Sequence, residues 1–441
     1  MRKSCLISLR WIPALNVVLA AGTLAAQEPP IASSDPAKIP LSQEDLQIAR
    51  SAQGKALAKE LRDYFQAAPE ARRRKTFSTE SNTLLARHPA TARKLAWSAY
   101  RSGWRRKQLI SDIRASKVAW KHLSMPYAVR SVGKMPEGGW PLFIAMHGGG
   151  GAPKHVNDSQ WAVMQRYFND HPERGGYLYL APRAPTDAWN GFYTDYNVPM
   201  FATLIRQLHL VSNVNPDKVY LMGVSHGGYG AFYLGMKMAD RFAAIHASAA
   251  APPGNWRDCV NLRNTVFSCM VGEHDTAHGR VNMVRGFMEG KIRLRGDNRD
   301  TYRGEVTIVK DRGHTGMPAR DKIADMYSEV RNPIPRHVKW AVDPLIETFY
   351  WLRVQTPTRD AEVEAVCEDN VVTLTSGNLQ SIGVYLDERL IDLAKPVKIV
   401  ANDRETPHKA TPTMLTLCET LAERGDPEYM FTARISVELE K

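Results

Sequence analysis

Residues Val219–Phe232 read VYLMGVSHGGYGAF, and the fold turns on how this stretch is built. It opens as a short apolar run, the pattern of a buried strand, and closes as the start of a helix. Between the two lies Gly223-x-Ser225-x-Gly227. A serine at so sharp a strand-to-helix turn is held exposed at the carboxyl edge of a sheet, over a helix N-terminus. The flanking glycines are needed because side chains there would clash. The five-residue pattern alone is weak, since small residues recur in loops. The strand before it and the helix after it are what make Ser225 a candidate nucleophile.

A serine hydroxyl attacks poorly until a base takes its proton, and the base needs a carboxylate to orient it. Downstream, the apolar run Thr265–Gly272 leads into Glu273-His274-Asp275, and Glu305–Lys310 leads into Asp311-Arg312-Gly313-His314. The order Ser225, Asp275, His314 is that of a serine–acid–histidine triad on an open parallel sheet. Each residue falls just past the carboxyl end of an expected strand, where active sites of such sheets lie. Glu273 and Asp311 are competing carboxylates, and His274 and His278 competing bases that come one strand too early and suit shaping the pocket or the surface instead.

Acyl transfer also needs donors for the developing oxyanion. Upstream, the run Pro141–Met146 leads into His147-Gly148-Gly149-Gly150-Gly151. Glycines let a backbone turn its N–H groups toward a pocket. Gly149 and Gly150 are the candidate donors of this loop, with the N–H of His226 as the second arm. The sequence leaves open which glycine donates. Trp189 and Tyr193, in the loop after the strand ending at Ala181, are candidate substrate contacts or ordinary packing. The chemistry calls for no metal and no organic cofactor.

Working outward, apolar runs at Pro141–Met146, Tyr177–Ala181, Lys218–Gly223, Ala243–Ala249, Thr265–Gly272 and Glu305–Lys310 alternate with helical patterns around Gln160–Tyr167, Met200–Val211 and Tyr229–Met238. Short continuous apolar strands alternating with helices imply a parallel sheet covered on both faces. His337–Val354 reads as a closing helix. Residues 42–112 read as helices, with Leu57, Leu61 and Phe65 at helical spacing. Trp97, Tyr100 and Trp104 form an aromatic stripe that suits a docking face. After residue 360 the pattern turns β-rich. Strands are expected at Val371–Thr375, Ser381–Leu386, Val397–Ala401 and Tyr429–Leu439, a turn at Asn402-Asp403-Arg404, and a helix over Thr413–Arg424 ended by Gly425.

Together these motifs resemble the α/β-hydrolase superfamily, most closely its secreted serine-esterase branch of polyhydroxyalkanoate-depolymerase-like and feruloyl- or acetyl-esterase-like enzymes. The catalytic module of prolyl-oligopeptidase-type peptidases is similar too. The resemblance covers roughly residues 117–355 and implies a mostly parallel central sheet and acyl-enzyme chemistry on an ester substrate. A helical region precedes that module and a small β-rich domain follows it. A peptidase of that type would carry a propeller in front, and the preceding helical stretch is too short for one. A further alternative is a non-catalytic binding protein that works through its carboxyl-terminal domain.

The start of the chain reads as an export signal. Arg2, Lys3 and Arg10 precede the mostly apolar run Trp11–Ala21, and small residues at Thr23, Ala25 and Ala26 suit cleavage. The expected organisation is a signal over 1–26, a linker over 27–41, the helical region over 42–116, the hydrolase module over 117–356 and the β-rich domain over 360–441. A secreted or periplasmic location follows as an expectation. In such a compartment Cys259, Cys269, Cys367 and Cys418 could pair, though Cys269 sits in a strand-like run that equally suits a buried free thiol.

The formal net charge is +12, from 58 Lys and Arg against 46 Asp and Glu. The excess is local: residues 41–130 hold 19 basic and 7 acidic side chains. That stretch suits either contact with an acidic surface or a merely solvated helical face. Nucleic acid is not an expected partner, because no binding motif is present. The sequence does not address oligomeric state.

Overall fold

The computed structural model describes residues 41–103, 107–253 and 256–439. The expected signal, all but the last residue of the expected linker, and Trp104 lie outside them. Six helices come first: α1 (Gln43–Arg50), α2 (Ala52–Gln66), α3 (Pro69–Arg72), α4 (Thr79–Arg87), α5 (Pro89–Gly103) and α6 (Lys107–Arg114). Ser42 starts α1 with a reciprocal cap: the Asp45 N–H donates to its Oγ, and its own N–H donates to Asp45 Oδ2 at 2.8 Å. Leu57, Leu61 and Phe65 of α2 are buried against Ala92, Ala96 and Tyr100 of α5. Trp97 stacks on Tyr100 with ring centroids 5.6 Å apart, so these two stripe residues pack inward.

The centre is an eight-stranded sheet: β1 (Lys117–Trp120), β2 (Leu123–Val132), β3 (Trp140–Met146), β4 (Tyr177–Pro182), β5 (Val214–Val224), β6 (Ala244–Ser248), β7 (Val266–Gly272) and β8 (Val306–Val309). Their order in space is β1-β2-β4-β3-β5-β6-β7-β8. The first two strands are antiparallel, and β3 to β8 run parallel to one another. Along β3, Leu142, Ile144 and Met146 enter one buried cluster while Phe143 and Ala145 enter another. Alternate residues thus bury on opposite faces, which is why the strand is continuously apolar. Helices α7 (Lys154–Met164), α8 (Asn197–Val211), α9 (His226–Lys237) and α10 (Arg280–Arg295) lie in crossovers between strands, and α11 (Lys322–Met326) follows β8. The parallel order and the serine elbow after β5 are those of the α/β-hydrolase fold.

His337–Val354 is not a helix. It forms β9 (His337–Ala341), a turn, β10 (Thr348–Phe349) and β11 (Leu352–Arg353). Val338 and Trp340 are buried while His337 and Lys339 are half-buried, so the period is two. Pro344 then bars helical continuation. The segment enters the carboxyl-terminal sheets instead. These use β12 (Glu362–Glu368), β13 (Val371–Gly377), β14 (Ser381–Leu386), β15 (Val397–Ala401), β16 (Arg404–His408) and β17 (Ala433–Glu438). One sheet runs β16-β15-β13-β12-β9 and the other β10-β11-β14-β17. Asn402 and Asp403 both take positive φ, at 45° and 69°, in the expected turn between β15 and β16. Helix α12 (Met414–Arg424) is capped by Thr413 and stopped by left-handed Gly425.

The lobes share one hydrophobic core and a buried ionic network. Arg331 donates to Asp217 and to Asp426 Oδ2, the latter at 2.8 Å, and both partners of that second pair are almost wholly buried. Arg424 pairs with Asp240, and Arg93 of α5 reaches Asp387 and Glu388. Cys259, Cys269, Cys367 and Cys418 are all buried free thiols, so none of the open pairings forms among the described residues. Burial pushes the thiols of Cys259 and Cys269 up to about 12. Among the described residues no helix is long and apolar enough to cross a membrane.

Candidate active site

Strand β5 delivers Ser225 into a strained turn, with φ 53° and ψ −115°. Its N–H donates to Ser248 O at 2.9 Å, which helps hold that geometry. Glycine is required on both sides. A Cβ on Gly223 would lie 1.9 Å from Gly227 O, and one on Gly227 would lie 2.2 Å from Met146 O.

The loops after β7 and β8 bring Asp275 and His314 to this turn. Ser225 Oγ lies 2.9 Å from His314 Nε2, and His314 Nδ1 lies 2.8 Å from Asp275 Oδ2. Asp275 is only 3% exposed, whereas the His314 side chain is 39% exposed. Burial alone would raise the Asp275 carboxyl. Hydrogen bonds from His314 and Arg280 outweigh that and hold it below its ordinary value, so it stays ionised. The competing residues lie elsewhere. Glu273 Oε2 accepts the N–H of Asp311 at 3.1 Å, and His274 is exposed beside them. Glu273, His274 and Asp311 have ligand atoms within 4.8 Å of one another, which makes them the one group among the described residues able to meet a metal ion. The Glu273–Asp311 bond also accounts for their proximity, because it fastens one loop to the other.

The glycine run after β3 curls over the elbow. The N–H of Gly150 donates to Asn157 Oδ1 at 2.7 Å, and Asn157 Nδ2 donates to Ala152 O at 2.9 Å. The Gly150 N–H is thus engaged by Asn157 rather than turned free toward the elbow. Among the described residues no protein acceptor meets the N–H of Gly149 or of His226. The His147 ring underpins the run. The Ala184 N–H donates to His147 Nε2 at 3.0 Å, so Nδ1 carries the proton and donates to Gly148 O. Burial pushes His147 down to about 4, and with His147 and Arg183 nearby, burial pushes His226 down to about 3. Both rings are therefore neutral at pH 7.

Trp189 and Tyr193 lie near the elbow, with the Tyr193 ring 6.2 Å from that of His226. Trp189 is 48% exposed, and its ring lies 6.0 Å from Tyr229 and 5.5 Å from His278. Tyr193 lies 5.5 Å from Tyr229, one helical turn beyond Ser225 on α9. The four rings form an aromatic wall around Tyr229 and Trp189 at the start of the elbow helix. Sequence reading placed His278 only as a residue shaping the pocket or the surface, and it missed Tyr229, Asn157 and Arg280. Tyr229 had the clearest signal, at four residues after the elbow serine.

No family model and no curated protein matches this chain. Among solved structures, a thermostable esterase matches at 19% identity and TM-score 0.36, covering 46% of this chain and 56% of its own. An S-formylglutathione hydrolase from Agrobacterium tumefaciens matches at 18% and 0.33, over 44% of this chain and 83% of its own. Porphyromonas gingivalis dipeptidyl peptidase 4 matches at 14% and 0.31, over 44% and 30%. Identities and scores this low are likenesses of fold at most. Function has to be argued from the site.

Proposed function

We propose that the chain is a serine hydrolase that cleaves carboxylic esters through an acyl-enzyme. The observation that carries this reading is the unbroken hydrogen-bonded run from Ser225 Oγ through His314 to the buried carboxylate of Asp275. His314 takes the Ser225 proton as Oγ attacks the carbonyl, and the carboxylate steadies the imidazolium that forms. The N–H groups of Gly149 and His226, both free of protein acceptors, receive the oxyanion. His314 then returns the proton to the departing alcohol. Water, deprotonated by the same imidazole, releases the acid and restores Ser225. Trp189, the most exposed ring of the cluster with Tyr193, Tyr229 and His278, offers an aromatic contact to the substrate.

The test is covalent. A fluorophosphonate probe incubated with the intact protein should add one phosphonyl mass to the peptide holding Ser225, and Ser225→Ala should stay unlabelled. An unlabelled natural protein would remove the nucleophile reading and bring forward a binding role for the carboxyl-terminal lobe.

A further inference from the structure

Arg280 stands where a cation is least expected. It is the first residue of α10, at the positive end of the helix dipole, and it is only 5% exposed. Two consecutive left-handed residues, His278 (φ 56°) and Gly279 (φ 70°), turn the chain sharply so that this side chain folds back. A Cβ on Gly279 would meet nothing, so backbone conformation alone favours glycine there. The result is a bond from Arg280 Nη2 to Asp275 Oδ1 at 2.5 Å, on the oxygen that His314 does not use.

We infer that Arg280 is a positioning residue of the reaction, holding the second oxygen of Asp275 and offsetting part of that carboxylate's charge as His314 experiences it. The inference rests on the reading of Ser225 as nucleophile and His314 as base. With both oxygens engaged, the carboxylate cannot swing away from the imidazole. Burial pulls the guanidinium down, and Asp275 and Tyr229 more than offset that, so its affinity for the proton is net raised. Tyr229 follows Ser225 by one turn of α9, so the arginine stands beside the helix that carries the serine.

Other charged or titratable groups surround the pair. Glu273, His274 and His278 share the loop after β7, Asp311 and Arg312 the loop after β8, and His226 and Tyr229 the start of α9. Among the described residues only His314 and Arg280 hydrogen-bond the Asp275 carboxylate. Removing the guanidinium leaves a full negative charge facing the imidazole, which favours the imidazolium. The base then has to be freed of its proton at higher pH.

The experiment follows the rate of fluorophosphonate labelling from pH 5 to 9, which does not depend on which ester the protein prefers. The intact protein is compared with Arg280→Gln, Arg280→Met and Arg280→Lys, each checked for a native melting transition. Arg280→Gln keeps a donor for Asp275 Oδ1 but loses the charge. It should move the acid limb of the profile up by about one pH unit. Arg280→Met loses both and should also slow labelling at the optimum about tenfold. Arg280→Lys keeps the charge and should hold the acid limb in place. An unmoved limb in folded Arg280→Gln, with Ser225 still labelled in the natural protein, overturns the role of Arg280 alone. No labelling of the natural protein overturns this inference together with the nucleophile reading on which it stands.

Discussion

Asn157 Oδ1 takes the N–H of Gly150 at 2.7 Å, and through that bond helix α7 sets the shape of the glycine loop over Ser225. Asn157 is itself buried, and its amide also holds Ala152 O. Replacing it with alanine leaves a partly buried N–H and a carbonyl without their partners, which costs about 1–3 kcal/mol. It also frees the loop that carries Gly149. Asn157→Ala should therefore lower kcat about tenfold or more for p-nitrophenyl acetate, with KM little changed. A lowered melting temperature with unaltered kcat would mean that the loop keeps its shape by other means.

The aromatic wall predicts discrimination between substrates. Trp189→Ala removes the most exposed ring while leaving Ser225, His314 and Asp275 untouched. For an ester with an aromatic acyl group, KM should rise about tenfold, consistent with the loss of about 1.4 kcal/mol of ring contact. For an acetyl ester the same substitution should change KM by less than about twofold. Equal losses on both esters would place Trp189 in the scaffold.

Stability should depend on acid in a defined window. Burial pushes His147 and His209 down to about 4 and His226 and His246 down to about 3. In the unfolded chain these groups take up protons near pH 6.5, so between that pH and about 4 the unfolded state binds more protons than the native state. Their contribution is complete above pH 6.5 and is lost as pH falls toward the native values. Each adds a slope of up to about 1.4 kcal/mol per pH unit within the window. Urea midpoints measured at pH 7, 6 and 5 should fall steadily. A flat profile over that range would show that these rings are protonated in the native state.

The buried Arg331–Asp426 pair predicts that the carboxyl-terminal lobe and the central sheet unfold together. Arg331→Met strands the carboxylate of Asp426, which Arg331 together with His209 and Arg241 holds below its ordinary value against the effect of burial. Breaking a buried pair from one side costs about 3–5 kcal/mol. The variant should melt in one transition at lower temperature. Two separated transitions in the natural protein would contradict the shared core.

What the sequence made legible follows local grammar. The elbow at Ser225 and the placing of Asp275 and His314 past strand ends depend on runs of adjacent residues, and such runs can be read along the chain. Which glycine donates stayed open because the partner of the Gly150 N–H, Asn157, lies on the helix that follows. Arg280 was invisible because its value comes from a bend at His278 and Gly279 that returns it to Asp275. His337–Val354 was dense in apolar residues, yet density has no period. The alternation of Val338 and Trp340, followed by Pro344, marks strand and turn.

The most direct test of the central claim is turnover of p-nitrophenyl esters of increasing acyl length by the natural protein and by Ser225→Ala. The account predicts turnover by the natural protein, with at least a thousandfold loss of kcat in the variant, on the order expected when a serine nucleophile is removed. Comparable turnover by both proteins would contradict it, because the hydrolysis would then not pass through Ser225.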